Sequence, residues 1–356
     1  MEKRGLILWE EIIGFIIAFG CLFLLARLAN SGVNMLFGGQ EEAQARAQLD
    51  DLIFRLELLD ETEKGAEETY LLLAPSKWFL ASFSKDEKGP SACFLRNCIC
   101  ICQKKGGFMW VGRKVNCDKG GICRMITKDA KLEPEEVKIP SALLLSTNDF
   151  FVIKEIEWKE GEPIELTPAN KEALKNFNLE IEEKGYTEII ENASKEYNVS
   201  AALIKAIMYQ ESRGNSKAVG YCGEAGLMQF MPLTARSVGI NLIFEDADFG
   251  ECDDYAREYA NRLKDEIKDK SLDEIKKIDE RFDPHKSIMA GANHIKSLQD
   301  VFKENILAII AAYNAGMGRV KEECPNLQIR TCERLPDITK SYFPRVEAYY
   351  NFFEVA

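Results

Sequence analysis

Histidine is scarce in this chain: only His285 and His294 occur among 356 residues. No His-Glu-x-x-His pair, Walker A loop, Gly-x-Ser-x-Gly elbow or Gly-x-Gly-x-x-Gly turn is present. Zinc-protease, nucleotide-binding and serine-triad chemistries therefore have no support in the sequence. Dense Lys/Arg blocks are also missing, and the net charge is −12. Phosphate backbones are held by clustered cations, so no nucleic-acid partner is expected. The cysteines include no Cys-x-x-Cys knuckle of the kind that builds common structural zinc sites, and no metal is expected.

Hydrophobic content is 46%, enough for a real core, and the length suits two or three domains. Residues 1–40 read as a membrane anchor, an N-terminal transmembrane helix. Lys3-Arg4-Gly5 precedes an apolar run from Ile12 to Ala26, closed by Arg27. That run is about 15 residues against the ~20 that span a bilayer, and extending it back to Leu6 takes in Glu10 and Glu11. No small-residue cleavage site follows, which favours an anchor over a removed signal peptide. The basic start and the acidic continuation at Glu41 and Glu42 put the N-terminus in the cytoplasm and the rest outside. Lys-Arg-Gly before Leu6, with Glu10 five residues after Gly5, resembles a type IV prepilin-type signal (residues 1–5), which implies a pilin-like assembly. A plain signal anchor is the alternative.

Residues 41–65 read as a helical stalk, with Leu49, Leu52, Ile53, Leu56 and Leu59 on one stripe. Residues 66–160 change to short β-like runs: Trp78 to Phe83, Cys98 to Gln103, Phe108 to Val111 and Phe150 to Ile156. On a strand Cys98, Cys100 and Cys102 share one face at about 6.6 Å steps, too parallel to bond one another. Their expected partners are Cys93, Cys117 and Cys123. Four more cysteines, Cys222, Cys252, Cys324 and Cys332, lie further on. Even counts in both parts fit disulfides in an oxidising compartment, with Cys324 to Cys332 the favoured bridge. This small disulfide-rich β domain carries no motif that assigns it a ligand. Residues 161–185 read as a charged linker, helical from Pro168 with Thr167 as cap.

The chemistry concentrates in residues 186–356. Ser200 can cap a helix that stops near Gly214, and on it Ile204, Met208 and Glu211 fall in one line. A carboxylate in line with core residues is desolvated, which raises its pKa and keeps it protonated, as a general acid requires. After Glu211-Ser212 come Gly226-Leu227-Met228-Gln229, Phe282-Asp283-Pro284 with Ile288, Ala290 and Gly291, Ala312-Tyr313-Asn314-Ala315-Gly316, and Tyr342-Phe343-Pro344-Arg345-Val346. In this order they resemble the soluble lytic transglycosylase domain, a mainly α lysozyme-like fold shared with goose-type lysozymes.

The resemblance implies a peptidoglycan substrate, cut between N-acetylmuramic acid and N-acetylglucosamine to leave a 1,6-anhydro product. Glu211 matches the catalytic residue, acid first and base second, and no cofactor is implied. Gly226 would let backbone pass close to sugar rings, Met228 and Gln229 would line the cleft, and Ser212 would bond near the site. Tyr313 and Asn314 match a segment that contacts the acetamido sugar, and Tyr342 matches the Tyr that faces the catalytic Glu. For Met228 the competing reading is core packing.

Two departures stand out. Cys222-Gly223-Glu224-Ala225 places an acid just before the Gly-Leu-Met-Gln segment. Glu224 is expected as a solvated loop residue; inside the cleft it would be the second carboxylate of a hydrolytic muramidase. The stretch Asn241 to Arg281 is longer than the family pattern, and Leu263, Ile267, Ile275 and Ile278 predict added helices there. A third reading, a glycan-binding surface or pilus protein without catalysis, is disfavoured by the retention of Glu211 with all its flanking motifs.

Overall fold

The computed structural model describes residues 41–61, 67–73, 75–87, 89–103, 117–118, 121–158, 163–242, 244, 247, 249–250 and 252–356. The anchor, the prepilin-type signal and the run Phe108 to Val111 fall outside them. Among the described residues no helix is long and apolar enough to cross a membrane.

The N-terminal unit combines one helix with two sheets. Helix α1 covers 41–61. Strands β1 (Glu67–Leu72), β7 (Ser141–Thr147), β8 (Phe151–Ile156) and β5 (Ala130–Glu133) form one sheet in the order β1-β7-β8-β5. Strands β4 (Gly121–Met125), β3 (Cys98–Gln103), β2 (Trp78–Phe83) and β6 (Glu136–Lys138) form the other, in the order β4-β3-β2-β6. The alternation along β3 has a physical outcome. Ile99 and Ile101 turn into a core with Leu49, Leu52, Ile53 and Leu56 of α1, while Cys98, Cys100 and Cys102 pack with Ala81 and Phe83 on the opposite face. Three disulfides cover that face: Cys93–Cys98, Cys100–Cys123 and Cys102–Cys117.

The segment expected as a stalk is thus a core helix. Besides its leucine stripe, Phe54, Leu58, Gln48, Asp50 and Arg55 are buried too, because α1 is covered on a second side by the C-terminal unit. Each fully buried Leu contributes about 1.5–3 kcal/mol.

The C-terminal unit is helical: α2 (Pro168–Glu183), α3 (Tyr186–Tyr197), α4 (Ala201–Ser212), α5 (Pro232–Ser237), α6 (Asp254–Ile267), α7 (Leu272–Ile275), α8 (Pro284–Phe302), α9 (Ile306–Ala315), α10 (Met317–Glu323) and α11 (Asp337–Val355). Thr167 caps α2 and Pro168 opens it, as the sequence predicts. The segment is nonetheless no free linker. Leu174, Phe177 and Ile181 belong to the same core as α4, α8, α9 and α11, and the Phe177 ring meets Tyr209 edge-on at 5.1 Å. Helices α6 and α7 fill the long stretch after Asn241, with Leu263, Ile267 and Ile275 in a small core of their own. Ile278, predicted with them, is 36% exposed. Two further disulfides, Cys222–Cys252 and Cys324–Cys332, complete the expected parity.

Candidate active site

Helix α4 positions the central carboxyl. Ser200 caps its start, Oγ accepting from Leu203 N at 3.3 Å. It ends where Arg213 and Gly214 take positive φ, +51° and +79°. Glu211 therefore sits in the last turn, half-buried, against α11. Tyr342 Oη, from α11, donates to Glu211 Oε1 at 2.6 Å. Burial pushes the Glu211 carboxyl up to about 7, against the pull of the Arg55 guanidinium and of the Tyr342 hydrogen bond; Glu224 and Asp51 add to the rise. A carboxyl at about 7 is split between acid and base near neutrality, which suits a group that first gives and then takes a proton.

The Gly-Leu-Met-Gln segment is held from behind by Arg281, which is fully buried. Its guanidinium donates to Gly223 O at 2.6 Å, Phe230 O at 3.1 Å, Tyr259 Oη at 2.8 Å and Asp279 Oδ2 at 2.7 Å. Gly226 has φ +77°, and a Cβ there would lie 1.8 Å from the Arg281 carbonyl oxygen. The close approach that requires glycine is thus this protein's own backbone.

The expected site residues divide into two groups. Tyr342, Tyr313 and Gln229 gather around Glu211 and its loop. Tyr313 Oη donates to Met228 O at 3.0 Å. Gln229 Nε2 donates to Ala218 O and Gly226 O, at 3.0 and 2.9 Å, while its buried Oε1 bonds no described group. Asn314 is exposed, with Oδ1 taken by Thr339 Oγ1 at 2.7 Å.

Ser212 and Met228, by contrast, are 0% exposed. Ser212 Oγ donates to Leu227 O at 2.8 Å and so ties α4 to the loop. The Met228 side chain lies against Gly291, where a Cβ would come within 2.5 Å of its Cε; the core reading holds for it.

Glu224 corrects a second expectation. It is half-buried, accepts from Cys222 N at 2.9 Å, and burial pushes its carboxyl above the usual range. It is not a solvated loop residue.

The network behind Glu211 crosses between the two units. Arg55 of α1 is buried, pairs with Asp51 at 3.3 Å, and donates from Nη1 to the carbonyl of Gln210. With the Gln210 amide oxygen turned to the guanidinium, that oxygen also accepts from Nη2 at 2.9 Å. Glu68 of β1 is 1% exposed and paired twice, with Arg213 at 2.6 Å and Arg345 at 2.8 Å. Burial alone would raise its pKa, but Arg213, Arg55 and Arg345 outweigh burial and hold it below the usual carboxylate range. The sequence reading missed Arg55, Asp51 and Glu68. The available signal was Phe54 and Leu58, four apart and off the leucine stripe, which mark a second contact face on α1. A cleft of about 1220 Å³ opens nearby, lined by Leu58, Phe177, Tyr186, Arg213, Asn215 and Lys217. Ser212, the residue after Glu211, also lines it, whereas Glu211 does not.

Residues 188–251 and 256–329 match the family described as the transglycosylase SLT domain. The match takes in Glu211, the Gly-Leu-Met-Gln segment, Tyr313 and Asn314; Tyr342 and Arg55 lie outside it. A membrane-bound lytic murein transglycosylase C of Glaesserella parasuis is 28% identical over 176 residues, which is 48% of this chain and 41% of that protein. A transglycosylase of Enterobacteria phage PRD1 is 38% identical over 58 residues, 16% of this chain and 22% of that protein. The 70 kDa soluble lytic transglycosylase of Escherichia coli aligns at 24% identity with a TM-score of 0.34, covering 48% of this chain and 24% of that one. This chain thus spans less than half the length of each, and what it shares with them is a C-terminal region similar to the transglycosylase SLT domain.

Proposed function

We propose that this SLT-bearing chain is a glycan-cleaving enzyme of the lyase type, a lytic transglycosylase acting on peptidoglycan between N-acetylmuramic acid and N-acetylglucosamine. The observation that carries this reading is a half-buried carboxyl, shifted to about 7, with a tyrosine hydroxyl 2.6 Å away, inside the matched domain.

Protonated Glu211 gives its proton to the glycosidic oxygen as the C1–O bond breaks. The carboxylate that results takes the proton of the sugar's own C6 hydroxyl, whose oxygen closes on C1. One C–O bond is lost, one is formed, and no water is consumed. Tyr342 holds the carboxyl in place through both steps. Asn314 has its oxygen engaged, so its amide hydrogens are what it offers an acetamido carbonyl. Gln229 and Tyr313 shape the loop beneath the sugar.

Five disulfides support an oxidising compartment outside the cytoplasm, and relatives carrying "membrane-bound" in their names support anchorage through residues 1–40.

Mass spectrometry of peptidoglycan digested by the full chain tests the reading. Anhydro-ended fragments, one water lighter than reducing ends, are expected, with none from Glu211→Gln. Reducing ends would favour a hydrolytic second reading, which the half-buried, pKa-raised Glu224 beside Glu211 supports as the group that activates water. No cleavage at all would remove both.

A further inference from the structure

The SLT match ends well short of α1, yet α1 reaches the centre of the site. Arg55 is 4% exposed, and its guanidinium is fixed on three sides: by Asp51 on its own helix, by the Gln210 carbonyl, and by the Gln210 amide oxygen. Gln210 is the residue directly before Glu211, so the cation is pinned to the same helical turn that presents the catalytic carboxyl. A buried cation used only for packing would need no such address. A Leu or Met would fill the space and escape the desolvation cost of a charge.

We propose that Arg55 is a positioning residue for the reaction, supplied from outside the SLT domain: α1 holds its charge against the last turn of α4, where it stabilises the carboxylate that Glu211 becomes after giving up its proton. The inference rests on the transglycosylase reading above and adds to it that the N-terminal helix completes the site.

The groups that bear on Glu211 are few. Arg55 and Asp51 come from α1, Tyr342 from α11, Tyr313 from α9 and Glu224 from the loop. Two of them have opposite signs on one helix. Arg55 favours the carboxylate and Asp51 opposes it.

The test is the pH profile of kcat/KM for anhydro-product release by the full chain. Its alkaline limb marks the loss of the proton from Glu211. Arg55→Met should move that limb up by about one pH unit, as expected for removing an opposite charge nearby, and Arg55→Lys should largely restore it. Asp51→Asn, which keeps a hydrogen-bond acceptor, should move it down. Folding is checked by circular dichroism; where Arg55→Met fails to fold, Arg55→Lys and Asp51→Asn carry the decision. A wild-type limb that stays put in Asp51→Asn and in a folded Arg55→Met makes Arg55 a merely structural residue and overturns the inference. An absence of anhydro products from wild type sinks the functional reading instead, so the two failures are distinct.

Discussion

A carboxyl that ionises near 7 is held there at a cost to folding. The ordinary value for Glu211 is 4.5, and in the folded chain it is about 7. The native state therefore binds the proton more tightly than the unfolded state does. The stability this contributes is complete below about pH 4.5 and is lost as the pH climbs through 7. Glu211→Gln has no proton to lose. At pH 8 it should melt a few degrees above wild type, about 1–2 °C for each kcal/mol recovered in a chain of this size. At pH 4 the two should melt together. Thermal melts at both pH values check this, and identical curves at pH 8 would mean that Glu211 ionises like a surface acid.

At the scale of elements, the loop between α4 and α5 is shaped by what lies behind it. Arg281 gathers the carbonyls of Gly223 and Phe230, and its own carbonyl occupies the space a side chain at Gly226 would need. Gly226→Ala should cost about 3 kcal/mol or more, since positive φ alone costs ~1–3 kcal/mol and the overlap adds to it. Gly239→Ala is the control. It also has positive φ, +85°, but nothing lies within 4 Å, so only the backbone strain of about 1 kcal/mol remains. Urea midpoints of the two variants measure the difference. A similar loss in both would show that the Arg281 carbonyl gives way freely.

For the whole molecule, the two units are joined by charge as well as by apolar surface. Glu68 of the sheet unit is buried between Arg213 at the end of α4 and Arg345 of α11. Glu68→Gln would leave two buried cations short of an anion, and breaking such a pair costs about 3–5 kcal/mol. Wild type should unfold in a single calorimetric transition, whereas Glu68→Gln should unfold at lower temperature and in two steps. The carboxylate form is the one favoured here, so this contribution is present above the ordinary pKa of 4.5 and fades as acid protonates Glu68 below that. An unchanged single transition in Glu68→Gln would show that the apolar contacts alone couple the units.

The local sequence was enough to put Glu211 in line with core residues of α4, and to find the caps at Ser200 and Thr167, the alternating face of β3 and the disulfide partners of its cysteines. These depend on neighbours a few residues away, where helical or strand periodicity fixes which side chains share a face. It read α1 as a stalk and α2 as a linker, where both are packed into cores, and of its two readings of Met228, cleft lining or core, the interior one holds. Those outcomes depend on what covers a face from elsewhere in the chain. Arg55 and Glu211 are far apart in sequence, and no periodicity links them. Only the docking of the N-terminal helix and sheets onto α4 and α11 buries those charges together, and burial is what turns an ordinary glutamate into an acid that still holds its proton near neutrality.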